Sequence, residues 1–435
     1  MVQSFPPLSL PRLEDRYELH EQIAQGGMAT VHVGRSLIPG RPGLVAVKKM
    51  HTNLTDTPRF VAMFVDEARL AARVRHRNVV SPRDFVVAGA SAEPCLVMDY
   101  VHGETLGRLL GQGERPQPPL PPALASAIMI DVLHGLHAVH EATSDDGQAL
   151  GLVHRDVSPW NIMVGADGIS RVLDFAVARA RRLKSGDHRS ERGGKPSYLA
   201  PEQVRFRDVD RRADVFAAGI VLWEMLTGQR LFKHDEPRVI WMKILSGAIT
   251  RPSRFNQAVT PVLEEVVLRA LARDCNRRFP DARRFAQALA AAVPPAPATA
   301  VAQWVASLRG QQLETRAAHL RRLLALSSGA RRQIAPTVAA LRDRAVRTLT
   351  ADAARARAAG RAFARAVRGD GRRLRWGALG LALLATALLV PAALSARTQP
   401  PVAVVSTPPP PAPNVMRIVP LIRAGDHQVI PGSHQ

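Results

Sequence analysis

Residues 153–161 read VHRDVSPWN, and residues 173–175 read LDF. Asp156, Asn161 and Asp174 therefore lie 18 positions apart from first to last. One carboxylate can orient a hydroxyl, and an amide and a second carboxylate can offer hard oxygens to a divalent cation on a chain of phosphates. That spacing suits phosphoryl transfer. His-Arg-Asp with Asn five positions after the Asp is rare by chance, and it gains specificity because partner motifs flank it in order.

Residues 16–50 alternate apolar and polar positions around a Gly-rich turn, which predicts a β-hairpin and a third strand, Leu44 to Met50. Residues 58–75 have helical periodicity and open on Pro58, a suitable first-turn residue. Strand-like runs follow at 79–88 and 95–101, and GQGERPQPPLPP at 111–122 breaks the chain. From there to about residue 293 the pattern is mostly helical. The expected fold class is α+β: a small β-rich lobe leading into a large helical lobe.

These motifs together resemble the bacterial eukaryotic-like (Hanks-type) serine/threonine protein kinases, in their membrane-anchored form. The resemblance covers roughly residues 16–290 and implies a bilobal fold with ATP between the lobes. Ala24-Gln25-Gly26-Gly27-Met28-Ala29-Thr30-Val31 stands where the family's Gly-rich loop covers the phosphates. Lys48, in VAVK with Ala46, then corresponds to the lysine on the α/β-phosphates, and Glu67 to the helix glutamate that holds it. Met98, Asp99 and Val101 match the hinge, where backbone groups of Asp99 and Val101 meet the adenine edge. Asp156 is implied as the catalytic carboxylate, with Asn161 and Asp174 holding Mg²⁺ or Mn²⁺. His154 reads as a packed core histidine. Glu202, in SYLAPE, is expected to pair with Arg278, and Asp214 to anchor the catalytic loop.

The chain departs from the family pattern at four kinds of position. Ala24 and Ala29 replace two glycines of the loop, and Ala176 replaces the glycine after Asp-Phe. Ser158 stands where the family has a lysine two residues past the catalytic Asp, and Lys195 where it has a threonine. Lysine occurs only six times in the chain, so this loss and gain suggest that Lys195 supplies the missing cation. Arg155 resembles the arginine that receives an activation-segment phosphate, with Ser190 the favoured acceptor. The alternative to an enzyme is a catalytically weak pseudokinase scaffold that binds nucleotide and partner proteins. Retention of Lys48, Glu67, Asp156, Asn161 and Asp174 weighs against it.

The net charge of +22 invites a nucleic-acid reading, but its distribution does not support one. Between Val301 and Arg375 there are 17 Arg against four acids, so more than half of the excess sits in one Arg/Ala-rich segment. Cys95 and Cys275 match no metal spacing and read as free thiols in a reducing compartment. The first sixteen residues lack the basic and apolar regions of a secretory signal.

Residues 376–396 are 21 uncharged, mostly apolar residues. As a helix rising 1.5 Å per residue they reach about 31 Å, the thickness of a bilayer core. Arginines crowd the N-terminal flank, which predicts an inner-membrane, single-pass topology with residues 1–375 in the cytoplasm. The expected domains are a kinase domain at 16–290, a Pro linker and Arg/Ala-rich juxtamembrane helices at 291–375, one transmembrane helix at 376–396 and a Pro-rich extracytoplasmic tail at 397–435. Expected partners are ATP, protein substrates, the membrane, anionic lipid and a second copy in a dimer; nucleic acid is not expected.

Overall fold

The computed structural model describes residues 11–55, 57–89, 93–112, 117–174 and 196–324, apart from the side chains of residues 58, 59, 63 and 67. The span at 376–396, the tail, Lys195, Ser190 and Ala176 lie outside them, as does the Glu67 side chain. The described residues all belong to one compact unit.

The small lobe is an antiparallel sheet of β1 (Tyr17–Gln25), β2 (Ala29–Ser36), β3 (Leu44–Met50), β4 (Pro82–Ala88) and β5 (Glu93–Asp99), in the order β1-β2-β3-β5-β4. Between β3 and β4 runs helix α1 (Pro58–Ala71), with Pro58 in its first turn as expected. Paired residues of an antiparallel sheet share a face, and alternate residues repeat it. Val45 and Val47 therefore turn one way, into a core with Tyr17, Val86, Cys95 and Val97. Ala46 and Lys48 turn the other way.

Three boundaries differ from the sequence pattern. The helix stops at Ala71, not 75, in a turn before Val74 packs into the large lobe's edge. Residues 79–81 leave the small sheet; Val79 bridges Val172 instead. The last strand runs 93–99 rather than 95–101, so residues 100–101 are free to form the connection between lobes. Pro94 is tolerated because β3 pairing begins only at Cys95.

The large lobe opens with a three-stranded sheet that the sequence pattern did not reveal. It comprises β6 (Gly103–Thr105), β7 (Ile162–Gly165) and β8 (Ser170–Val172). Helix α2 (Pro122–His140) and helix α3 (Arg212–Thr227) pass through the core. Every residue of α3 from Ala213 to Thr227 is buried, as expected of a helix with no polar stripe. It ends on Gly228 at φ 65°, where a side chain would also press on the Gln117 carbonyl. Helices α4 (Pro237–Ser246), α5 (Pro261–Ala270) and α6 (Ala282–Ala292) complete the lobe. A further helix, α7 (residues 298–324), follows the Pro-rich link. Among the described residues only α2 is long and apolar enough to cross a membrane, and it is a helix of this core.

Candidate active site

The sheet register assembles the nucleotide side. Ala24 pairs with Val31, Val31 with Lys48, and Ala46 with Met98. All five therefore lie on the face away from the valine core. The turn between β1 and β2 closes with Gly26 N donating to the Ala29 carbonyl at 2.8 Å, and His51 Nε2 lies 2.9 Å from the Gly26 carbonyl. Asp99 ends β5, and Val101 lies in the connection between the lobes, half-buried.

Lys48 reaches across the cleft. Its Nζ donates to Asp174 Oδ1 at 2.9 Å, bridging 126 positions of sequence. The predicted Lys48–Glu67 pair lies outside the described residues.

The catalytic loop is held from beneath. Asp214, on α3, accepts from the backbone N–H of His154 and of Arg155, both at 2.8 Å, and from His140 Nε2 at 2.7 Å. Burial by itself raises the Asp214 pKa, but the His140 hydrogen bond and the other donors outweigh it and hold the carboxyl below its ordinary value. This clamp sustains a left-handed Arg155, φ 65°, a conformation that costs a non-glycine residue about 1–2 kcal/mol. Gln203 adds a second tie, donating to the Arg155 carbonyl while accepting from Ala200 N.

His154 is fully buried. One ring nitrogen faces a carbonyl, that of Leu173 at 2.9 Å, and the other faces the Asp156 N–H at 3.3 Å. A carbonyl only accepts and an N–H only donates, so Nε2 is the donor to Leu173 and Nδ1 the acceptor from Asp156. The ring is a structural strut, as the sequence indicated.

Above this base, Asn161 Nδ2 donates to both the Asp156 carbonyl and Asp156 Oδ2, each at 2.9 Å. The bonds fix the Asp156 carboxylate and commit the amide nitrogen of Asn161, so the amide oxygen is the atom for a cation. Leu173 N donates to the Asn161 carbonyl at 2.9 Å, bringing Asp174 alongside. Asp174 is itself left-handed, φ 48°, which Asp tolerates better than most residues. Oxygen donors of this kind fit Mg²⁺ or Mn²⁺ shared with phosphates. Asn161 and Asp174 would hold the ion.

Glu202 and Arg278 form the expected pair, bidentate at 2.7 and 2.8 Å, with the Arg278 side chain fully buried. Ser158 is also fully buried. The guanidinium of Arg155 meets no carboxylate within ion-pair distance among the described residues, and burial lowers its pKa against the attraction of Asp214. His140 and Gln203 were missed in the sequence. His140 lies 14 residues before His154 at the end of α2, and that spacing was its one available signal.

Comparison with known proteins agrees with this architecture. The protein kinase domain model matches residues 17–290, and the chain belongs to that family. It is 37% identical over 278 residues to the tyrosine-protein kinase MasK of Myxococcus xanthus, covering 63% of this chain and 42% of the relative. It is 36% identical over 271 residues to the serine/threonine-protein kinase PksC of Streptomyces coelicolor, covering 61% and 47%. The chain thus spans less than half the length of these two curated relatives. The crystal structure of the Mycobacterium tuberculosis PknI kinase domain superposes with a TM-score of 0.48 at 24% identity, covering 64% of this chain and 96% of that one.

Proposed function

We propose that this chain is a bacterial serine/threonine protein kinase that transfers the ATP γ-phosphoryl group to protein hydroxyls, itself included, at the inner membrane. The observation that carries the reading is the convergence of Lys48, Asp156, Asn161 and Asp174 through four hydrogen bonds of 2.9 Å: Lys48 to Asp174, two from Asn161 to Asp156, and Leu173 N to the Asn161 carbonyl, which joins the two pairs. Lys48 binds the α/β-phosphates, and backbone groups of Asp99 and Val101 orient the adenine. Asp156, held by Asn161, aligns the acceptor hydroxyl and takes its proton as the oxygen attacks. A bound divalent cation supplies neutralising charge on the phosphates.

Ser158 is buried and uncharged, so it cannot replace the family's lysine beside the transferring group. In this reading Lys195 does so, and Arg155 binds a phosphate on Ser190. The enzyme is favoured over a nucleotide-binding scaffold because Asn161 spends its amide on orienting Asp156, a contact that nucleotide binding alone does not need.

The test is transfer of radiolabelled phosphate from ATP by the full chain, with the sites mapped by mass spectrometry. Asp156→Asn is expected to lower turnover by at least about 100-fold, and Lys195→Met to lower it strongly. Equal turnover in wild type and Asp156→Asn sinks the kinase reading. Normal turnover in Lys195→Met sinks only the substitution of one lysine for another, and an unmodified Ser190 only the phosphosite. Phosphotyrosine as the main product would place the chain with MasK in specificity. The membrane assignment rests on the run at 376–396, and deleting 376–435 should move the chain to the soluble fraction.

A further inference from the structure

Helix α7 lies beyond the end of the matched family region, yet it is built into the fold. At its start the Ala298 carbonyl occupies the space beside Gly168, where a Cβ would collide with it. Val301, Val305 and Leu313 are buried in the large-lobe core, with Trp304 and Leu308 packed against it. Arg309 donates to the Arg108 carbonyl at 3.1 Å.

The helix then passes the connection between the lobes. Arg316 donates to the Gly103 carbonyl at 3.3 Å, and its other terminal nitrogen lies 3.5 Å from the carboxylate of Glu104. Glu104 is itself buried. Further on, the helix reaches the small lobe. His319 lies 3.1 Å from Glu21 on β1, Arg35 on β2 donates to the Leu324 carbonyl at 3.4 Å, and Leu320 is buried. A helix of 27 residues is about 40 Å long. That length allows one element to hold both lobes and the segment joining them.

Gly103 follows Val101 by two residues, so Arg316 grips the same short backbone that meets the adenine edge. We propose that Arg316 is a positioning residue for nucleotide binding. It fixes the path of residues 99–103 so that their backbone groups face the base, and α7 is the brace that carries it. This rests on the kinase reading above. The nucleotide domain then takes in residues 298–324 instead of closing near 290.

The experiment uses the full chain and reads KM for ATP, kcat, KM for the protein substrate and, independently of turnover, the Kd of a fluorescent ATP analogue. Arg316→Ala should raise KM for ATP and the analogue's Kd about tenfold, the loss of roughly 1.4 kcal/mol of binding. Its kcat and its KM for protein substrate should change less than about twofold. Arg316→Lys, which keeps one donor for the Gly103 carbonyl, should recover part of the loss. Val305→Ala, at the large-lobe end of the same helix, should lower Tm by about 3–8 °C and leave KM for ATP unchanged. An unchanged Kd in Arg316→Ala overturns the proposal. So does an equal rise in Val305→Ala, which would make the effect one of general stability. A wild type that binds the analogue without transferring phosphate defeats the enzyme reading while the Kd comparison still tests Arg316; a wild type that binds no nucleotide defeats both.

Discussion

In the large lobe, Asp156 hangs from a loop whose backbone is tied to a fully buried carboxylate. In the small lobe, Lys48 projects from a strand and meets Asp174, whose side chain is 46% exposed. The first arrangement fixes a geometry, because Asp214, His140, Gln203 and His154 together satisfy the loop's buried polar groups. The second fixes a face of a sheet and sets the ammonium against a carboxylate that water reaches. Chemistry that depends on a proton and a hydroxyl at a set distance is placed on the rigid side. The grip on a ligand that must enter and leave is placed on the accessible side.

Replacing Asp214 attacks the rigid side where it is strongest. Asp214→Ala leaves two backbone N–H groups and the His140 N–H buried without their acceptor, and removes what sustains the left-handed Arg155. At about 1–3 kcal/mol for each stranded donor, the loss should be on the order of 5 kcal/mol, a large share of the stability of a domain. Denaturant unfolding checks it, and a loss under about 2 kcal/mol would mean that the loop is held elsewhere.

A smaller effect comes from acid. The folded carboxyl of Asp214 sits below its ordinary value of 3.8, so its contribution is complete above that value and lost as pH falls through the folded one. Asp214→Asn should therefore flatten the stability profile below about pH 4 relative to wild type. A wild-type profile that already declines between pH 5 and 7 would assign the decline to other groups.

The same contrast accounts for what the sequence disclosed. Lys48, Asp156, Asn161 and Asp174 were legible because their spacing is set by chemistry, and the pairing of Ala46 with Met98 follows once the strands are recognised. The third strand was bounded correctly, since Leu44–Met50 is a short run with β-branched Val45 and Val47 that starts directly after Gly43. β6, β7 and β8 are three or four residues each, too short to show a period of two. His140 and Gln203 act through partners distant in sequence, and His140 is one of three histidines on α2, with nothing local to single it out beyond its distance from His154. The helical character of 301–324 was legible, but the Arg/Ala-rich composition of 301–375 hid that α7 packs on the kinase lobes, because its apolar stripe is diluted by arginines whose roles depend on what they face. Arg316 bonds the hinge, while Arg321 bonds only a carbonyl of its own helix.

Substituting Lys48 should produce the smallest change in stability and separates the two lobes most cleanly. The Lys48 side chain is 16% exposed and its Asp174 partner nearly half exposed, so solvent screens this pair and its net worth to folding is below about 1 kcal/mol. Methionine keeps most of the apolar stem against the sheet. Lys48→Met should therefore melt within about 2 °C of wild type and fail to transfer phosphate, because the lost cation acts on the nucleotide and not on the fold. Asp214→Ala should do the reverse in order, losing stability first and activity as a consequence. If Lys48→Met unfolded as readily as Asp214→Ala, the ion pair across the cleft would be a structural bond, and the small lobe would be as fixed as the large one.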